Sequence, residues 1–531
     1  MHTSWLVLLP TCIVLISTFI TGSLNWSLAI GIATGAFIAA DFNLPQTINI
    51  AGTRLLGTIS DYDNLYLYAF LFIISIIIVL LNHTGGALAF AHILTKRLRS
   101  KRAAETTSLL ISLALFIDDY LSSLTVGYVM RPITDRLHIP RVKLAYLVRA
   151  MTGPLVILAP ISSWVGILIT SLDSAGIAPQ GTSGAKIIGD PLFIYLQTIP
   201  YMFYSFLIIA SAWFIVYYGI SFGPMHTQEA IASTTDNLFG GKQPITDTLN
   251  IEASSHGSAI DLLLPIITLI STVFLGCLWQ GDYHLFGGTR TALEAFKHVN
   301  NMFLVLFIAS LITLTITITF AFLRKTTSPK ALLQCTKEGI VMMLGAVIMV
   351  MLANTLSSLL RFDLATGQYL ATLLQGVLHL PILPFMFFIL SAVTATLLGV
   401  SLGTTMILIP IAIPMLTALT GIPLPTTPEE LTYLLPVIAA VFSGSVCGNH
   451  ISPIADTTAM VATSSGCYPL DHTRTQLPYI VPAIVGSALA FLLSGLCAPY
   501  SLIWRIFVPL ASGMTLCFVL LYSMHILNKR K

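Results

Sequence analysis

The stretch LFIDDYLSSLTVGYVMRPITDR, residues 115–136, decides the fold because it carries two adjacent carboxylates inside a long apolar run. Asp118 and Asp119 are the only formal charges within residues 106–130. Clusters of Lys and Arg flank this run on both sides, and such clusters collect in cytoplasmic loops. We therefore predict a re-entrant helical hairpin over 106–131, which enters the membrane and returns to the same side.

The composition indicates a polytopic membrane protein. Only 9% of the 531 residues are charged, against about 25% in soluble domains. Hydrophobic residues make up 56%, and the mean hydropathy is +0.88. Runs of about 20 apolar residues fit helices that cross a hydrocarbon core of about 30 Å. The net charge of +3 and the lack of a basic stripe exclude nucleic acid as an expected partner. We expect an all-α protein in the lipid bilayer.

A second hairpin is predicted over 382–419. Residues 364–428 contain no Asp, Glu, Lys or Arg, and their centre, TATLLGVSLGTT, is rich in glycine and small polar residues. Each hairpin is followed by a predicted broken transmembrane helix, over 144–172 in the first half and 432–464 in the second. We expect the helix breaks at four positions: Gly153–Pro154, Pro160, Gly444–Gly448 and Pro453.

The two hairpins resemble each other in sequence. SSLTVGYVMRPI (122–133) aligns with VSLGTTMILIPI (400–411) at an offset of 278, and APISS (159–163) aligns with SPIAD (452–456) at an offset of 293. Matches in the same order on oppositely oriented hairpins predict inverted repeats, which are typical of secondary transporters. The alternative is two unrelated seams of small residues that pack helices.

The repeat divides the chain into an N-terminal transmembrane half, 1–220, and a C-terminal transmembrane half, 259–531. The polar stretch between them, 221–258, lacks the apolar periodicity of a core and is predicted to be a cytoplasmic connector. With both hairpins returning to their side of entry, eighteen Lys and Arg lie inside and five outside. This bias predicts a multi-pass protein of the cell membrane with a cytoplasmic C-terminus.

Three aspartates, Asp118, Asp119 and Asp456, lie in otherwise uncharged apolar stretches. A charge at bilayer depth costs about 2.5–3.5 kcal/mol on insertion scales, so such residues usually face a bundle interior or a watery cavity. Carboxylate and hydroxyl oxygens select small hard cations such as Na⁺. A carboxylate that binds either Na⁺ or H⁺ couples the two ions. His450 is a second titratable candidate. The alternatives are structural: Asp456 pairs with Arg149, the aspartates cap helices, or His450 makes a structural hydrogen bond.

Hydroxyl groups beside these charges are predicted to act as supporting ligands. They are Ser122, Ser123, Thr125, Ser162, Ser163, Ser452, Thr457 and Thr458. No P-loop, HExxH or Gly-x-Ser-x-Gly motif is present. We therefore expect no enzyme, no ATP-driven pump, no cofactor and no transition-metal site.

Three motifs, FIDDYLSSLTVGYVMRPITDR (116–136), LAPISSW (158–164) and GNHISPIADTTAMVATSSGCYPLDHTRTQLPY (448–479), resemble the NhaC family of Na⁺/H⁺ antiporters, part of the ion-transporter superfamily. The resemblance implies exchange of Na⁺ or Li⁺ for H⁺ by alternating access, often in homodimers. It also implies that polar residues at the hairpin tips cradle the ion. In the second half these are Ser401, Thr404 and Thr405.

One position departs from the family pattern. Members usually read Gly-Asp-His where this chain has Gly448, Asn449 and His450. Asn449 keeps an oxygen ligand, so we include it among the cation-binding and proton-binding residues, but it cannot carry a charge or a proton. Stoichiometry or substrate could therefore differ in this chain.

Two other functions stay open from the sequence. The first is a proton- or sodium-coupled exchanger or symporter of a small organic solute, a carboxylate or an amino acid, because relatives of the family move malate and lactate. Arg149 is a candidate ligand for an anion, although its place near the inner end of its helix predicts snorkelling to the lipid surface. The second is a non-transporting membrane scaffold, which long soluble domains would support.

Overall fold

The computed structural model describes residues 5–21, 23–95, 98–179, 182, 184–244, 257–297, 299, 301–374 and 379–529. Nearly all of its regular structure is helical. The helices before the connector and within it are α1 Leu9–Thr21, α2 Leu24–Ala39, α3 Leu44–Ser60, α4 Tyr62–His83, α5 Gly86–Thr95, α6 Lys101–Ala114, α7 Asp119–Arg136, α8 Arg141–Leu158, α9 Val165–Ser174, α10 Pro191–Thr198, α11 Phe203–Tyr218 and α12 Gly223–Thr235.

The helices after the connector are α13 Ala259–Gln280, α14 Ala292–Lys297, α15 Met302–Leu323, α16 Pro329–Ser358, α17 Thr366–Leu374, α18 Leu383–Leu398, α19 Ser401–Thr420, α20 Leu434–Ile451, α21 Asp456–Ser465, α22 Pro469–Leu496 and α23 Leu502–Lys529. Short 3-10 turns occupy Trp5–Leu8, Ile199–Tyr201, His284–Phe286 and Leu380–Ile382, and Leu359–Asp363 is a π-helical turn. Two short strands, β1 Ile177–Ala178 and β2 Ile187–Ile188, pair in parallel.

The protein is an all-α polytopic membrane protein, as the composition predicts. In the described part of the chain, ten helical segments are long and apolar enough to cross a membrane. Many large apolar side chains on the outer helices are exposed. An apolar exterior of this kind suits lipid as the surrounding solvent.

Both predicted hairpins contain two helices that pack against each other and are joined by a short break. The first is α6–α7, interrupted at 115–118, and the second is α18–α19, interrupted at 399–400. Gly399 ends α18 with φ +70°, a left-handed conformation that glycine adopts without a Cβ clash. Each pair therefore forms one helix–break–helix unit. Entry from and return to the same membrane side stays a prediction.

Both predicted broken helices are broken, but two of the four expected break positions are wrong. The interruptions lie at 159–164, between α8 and α9, and at 452–455, between α20 and α21. They contain Pro160 and Pro453. The predicted breaks at Gly153–Pro154 and Gly444–Gly448 instead lie inside the continuous helices α8 and α20.

The glycines of α20 serve close packing against the hairpin helix α18. A Cβ atom at Gly444 would lie 2.5 Å from the carbonyl oxygen of Phe388, and one at Gly448 would lie 2.1 Å from that of Ala392. Both distances are far below van der Waals contact, so only glycine fits at this approach. Gly444 and Gly448 therefore mark a close helix–helix contact. The sequence alone did not distinguish such a contact from a helix break.

The two halves share an order of elements: a helix pair with a break, then a broken helix. The predicted offset of 293 between the two broken helices is confirmed, because α8 ends at Leu158 and α20 ends at Ile451, 293 positions later. The offset of 278 does not match the starts of α7 at Asp119 and α19 at Ser401, which lie 282 positions apart. The sequence alignment of the hairpins is therefore displaced by about one helical turn.

The predicted connector, 221–258, contains one helix, α12, and its residues 245–256 lie outside the described residues. Helix α12 packs against α8 and α22. In a largely buried cluster, Lys143 of α8 pairs with Glu105 of α6 at 2.9 Å and with Glu229 of α12. The connector is thus attached to the first hairpin and the first broken helix.

Candidate functional site

A cavity of about 50 Å³ lies where the two broken helices meet the breaks of the two hairpins. Side chains from both halves of the chain line it. They are Asp119, Tyr120, Arg149, Gly153, Trp164, Val400, Ser401, Leu402, Val446, Asn449, Asp456 and Thr457.

The start of helix α7 places Asp118 and Asp119 in different surroundings. Asp118 is the N-cap residue, and its carboxylate accepts a hydrogen bond of 2.7 Å from the backbone N–H of Leu121. Asp119 is the first helical residue, and its Oδ1 accepts a bond of 3.2 Å from Nε1 of Trp164. Both aspartates are only 2% exposed. Asp119 therefore lines the cavity, while Asp118 caps the helix behind it.

Asp456 is the first residue of α21, is exposed and lines the cavity. Its Oδ2 accepts a hydrogen bond of 2.6 Å from the hydroxyl of Tyr120, and its Oδ1 accepts one of 2.7 Å from the backbone N–H of Thr457. The Tyr120 contact joins α7 to α21, elements 336 residues apart. Sequence reasoning missed Tyr120, although it directly follows Asp119.

Arg149 points into the protein, so the prediction that it snorkels to lipid is wrong. It is 2% exposed. Its Nη2 donates to the backbone oxygen of Asn449 at 2.9 Å and also to the side-chain Oδ1 of Asn449. Among the described ion pairs, none joins Arg149 to Asp456, so the predicted structural pairing of these two residues is absent from the described contacts.

Asn449 uses its whole side chain in contacts with the protein. Its Oδ1 also accepts a bond of 2.9 Å from the hydroxyl of Thr457, and its Nδ2 donates to the carbonyl oxygen of Gly399 at 3.0 Å. Asn449 thus connects α8, α21 and the break of the second hairpin. Its neutral amide provides both the donor and the acceptor that this position needs.

His450 lies behind the cavity and does not line it. Its Nδ1 contacts the hydroxyl of Tyr204 at 2.9 Å, and its backbone oxygen accepts a bond of 2.8 Å from Nε2 of Gln476. The residue is 1% exposed. This placement favours the structural hydrogen bond over direct contact with an ion in the cavity.

Only two of the predicted supporting hydroxyl residues line the cavity, Ser401 and Thr457. The hydroxyl of Ser401 donates to the backbone oxygen of Ser445 at 3.2 Å. Thr404 donates to the carbonyl oxygen of Val400, the N-cap residue of α19, and Thr405 donates to that of Ser401. Helical threonines often bond the preceding turn in this way. Of the three predicted ligands in the second hairpin, Ser401 is the one that lines the cavity.

The hydroxyls of the first hairpin lie along a packed face of α7. Ser122, Ser123 and Thr125 are buried, and the backbone oxygen of Ser123 accepts a bond of 2.8 Å from Ser464 of α21. This face therefore holds α7 against α21. The role of these three residues as ligands stays a prediction.

The remaining predicted residues, Ser162, Ser163, Ser452 and Thr458, make hydrogen bonds at the helix breaks through either the hydroxyl or the backbone. Ser162 accepts a bond of 3.3 Å from the backbone N–H of Trp164, and the N–H of Ser163 donates to Ile117 at 2.9 Å. In the second break, the hydroxyl of Thr458 donates to the backbone oxygen of Ser452 at 3.2 Å. The bond from Ser163 to Ile117 joins the break of the first broken helix to the break of the first hairpin. The two breaks of the N-terminal half therefore lie together.

An all-helical polytopic protein with two broken helices around a charged internal cavity is a membrane transporter of the secondary class. Residues 155–496 match the Na⁺/H⁺ antiporter family, and the chain belongs to this family. Asn449 and Asp456 lie within the matched region, whereas Asp119 and Arg149 precede it.

The chain is similar to several known proteins. An uncharacterized protein of Haemophilus influenzae is 28% identical over 498 residues, which cover 92% of this chain and 90% of that protein. The structure of Neisseria gonorrhoeae MtrF, described as illuminating a class of antimetabolite efflux pumps, has a TM-score of 0.53 at 14% identity, covering 86% of this chain and 85% of MtrF. The Alcanivorax borkumensis YdaH transporter, described as having an unusual topology, has a TM-score of 0.49 at 16% identity, covering 85% and 88%.

Proposed function

We propose that this protein exchanges Na⁺ or Li⁺ for H⁺ across the cell membrane by alternating access. The halves 1–220 and 259–531 would expose the cavity first to one side and then to the other, with the C-terminus in the cytoplasm. The observation that carries the proposal is the small cavity lined by two carboxylates, those of Asp119 and Asp456.

The chemistry of the cavity suits competition between two cations. An ionised carboxylate of Asp119 or Asp456 attracts Na⁺, and protonation of the same carboxylate removes that attraction. Ser401 and Thr457 also line the cavity, and their hydroxyl oxygens are ligands of the hard type that Na⁺ prefers. Exchange follows when Na⁺ and H⁺ occupy the same group in turn.

The size of the cavity favours a small ion over an organic solute. A volume of about 50 Å³ holds a few water-sized groups, whereas pockets for small organic molecules have about 300–1,000 Å³. A partly dehydrated Na⁺ fits this space. A carboxylate substrate would need a wider cavity than this conformation has.

The second candidate function is transport of an organic anion, and Arg149 is the observation that favours it. Its guanidinium lines the cavity, and guanidinium groups bind carboxylates well. MtrF is described as one of a class of antimetabolite efflux pumps, so organic solutes belong in the functional test. We favour Na⁺/H⁺ exchange because Nη2 of Arg149 already donates hydrogen bonds to Asn449.

The test uses purified protein in liposomes that contain a trapped pH dye. A pH gradient is imposed, and Na⁺, Li⁺, K⁺, malate, lactate and amino acids are added separately. Collapse of the gradient by Na⁺ or Li⁺ alone is the expected result. Collapse by an organic solute alone would establish the second candidate, and no response to any solute would favour a scaffold.

Tyr120→Phe is expected to weaken the apparent Na⁺ affinity about tenfold, because hydrogen bonds to charged groups contribute about 1.5–3 kcal/mol. Without the hydroxyl, the exposed Asp456 is no longer held against α7. The affinity is measured from the Na⁺ dependence of the dye signal. Tyr128→Phe, on the same helix, is the matched control and should behave like the wild type. An unchanged affinity in Tyr120→Phe would remove Tyr120 from the site.

A further inference from the structure

The cavity is lined by three charged side chains, the carboxylates of Asp119 and Asp456 and the guanidinium of Arg149. With both carboxylates ionised, their net charge is −1. Asp118 is outside this lining. Its carboxylate caps α7 through the N–H of Leu121, where the positive end of the helix dipole offsets its negative charge. One monovalent cation therefore brings the lining to neutrality.

The charge of Arg149 is constant, unlike that of the carboxylates. A guanidinium stays protonated in proteins, and Arg149 is almost fully buried. Its hydrogen-bond partner, Asn449, is neutral and accepts from it through both its backbone and side-chain oxygens. Because this partner carries no charge, the positive charge of Arg149 is not cancelled locally and acts on the two carboxylates.

We propose that Arg149 is a fixed internal counter-charge that limits the cavity to one monovalent cation at a time and makes the exchange electroneutral. This inference rests on the proposed Na⁺/H⁺ exchange. Arg149 is thus a positioning residue: it determines how many cations the two aspartates accept and binds no substrate itself. Asn449 supports this role by holding the guanidinium without neutralising it.

The same charge count explains why the two ions would be coupled. Moving a net charge through the membrane interior is costly, so the neutral forms of the site, loaded with Na⁺ or with H⁺, change sides most easily. The empty site carries −1 and changes sides slowly. Each outward step with one ion must then be followed by a return with the other, which gives one H⁺ for each Na⁺.

The test compares transport rates at imposed membrane potentials, set in liposomes with K⁺ and valinomycin. The wild type is expected to collapse a pH gradient with Na⁺ at a rate that does not depend on the potential. Arg149→Gln removes one positive charge and Asn449→Asp adds one negative charge, so each variant changes the net charge of the site from −1 to −2. Both rates should change about threefold or more over 100 mV, because moving one charge across that potential has a substantial energy.

Arg149→Lys is the matched control, since it keeps the charge while changing the hydrogen bonds. Its rate should stay independent of potential, even if the rate itself is lower. For any variant that does not transport, ²²Na⁺ binding to the purified protein is measured. Arg149→Gln and Asn449→Asp should bind Na⁺ about tenfold more tightly than the wild type, as expected when a nearby positive charge is removed or offset.

The outcomes separate this inference from the function on which it rests. Failure of Na⁺ and Li⁺ to move protons through the wild type overturns the exchange, and the counter-charge role with it. Exchange that occurs but depends on potential in the wild type overturns the counter-charge role alone. Potential-independent rates and unchanged Na⁺ binding in both Arg149→Gln and Asn449→Asp also overturn it.

Discussion

Asp119→Asn is expected to reduce Na⁺-driven proton movement about 100-fold or more, because an amide neither takes up a proton nor attracts a cation as a carboxylate does. The side chain of Asn has nearly the same shape as that of Asp. The Asn oxygen can still accept the hydrogen bond from Nε1 of Trp164, so the helix start should be retained. The dye assay in liposomes measures the loss, and size-exclusion chromatography in detergent verifies that the protein is folded.

Asp236→Asn is the matched control for the change from carboxylate to amide. Asp236 is exposed, follows α12 and has φ +57°, a conformation that Asn also accepts. Its exchange rate should equal that of the wild type. Wild-type Na⁺ dependence in Asp119→Asn would show that this carboxylate is not part of the ion site.

Gly448→Ala is expected to cause the largest loss of folded protein. The new Cβ would lie 2.1 Å from the backbone oxygen of Ala392 and 2.7 Å from the Cβ of Ala395. Backbone cannot move aside as a flexible side chain can, so α18 and α20 must separate. Overpacking of this kind costs about 1–3 kcal/mol or more, and the separation would also displace the neighbouring Asn449. The yield of monodisperse protein and its thermal unfolding midpoint measure the effect.

Gly345→Ala is the control for helix propensity. Gly345 lies in α16, and an added Cβ meets no heavy atom within 4 Å. Alanine is about 1 kcal/mol more favourable than glycine in a helix, so this variant should unfold at the same or a higher temperature. Equal stability of Gly448→Ala and the wild type would mean that α18 and α20 do not pack this closely.

Local sequence features were sufficient to predict the class of fold and two of the four helix breaks. The all-α membrane fold follows from apolar runs of spanning length, and the family membership predicted from three motifs is confirmed. Asp118 caps α7, and Pro160 and Pro453 lie in the two breaks. These features depend on residues a few positions apart, because capping and proline effects act within one or two turns of helix.

The tertiary structure decided which residues form the cavity. Arg149 points inward because Asn449, 300 residues away, accepts its hydrogen bonds. Gly448 is needed inside helix α20 because the backbone of α18 packs directly against it and leaves no room for a Cβ atom. Sequence periodicity reports the faces of a helix but not which distant segment will cover each face. The position of a charged side chain relative to the cavity depends on which segments pack together. It is therefore determined by the tertiary structure and not by the local sequence.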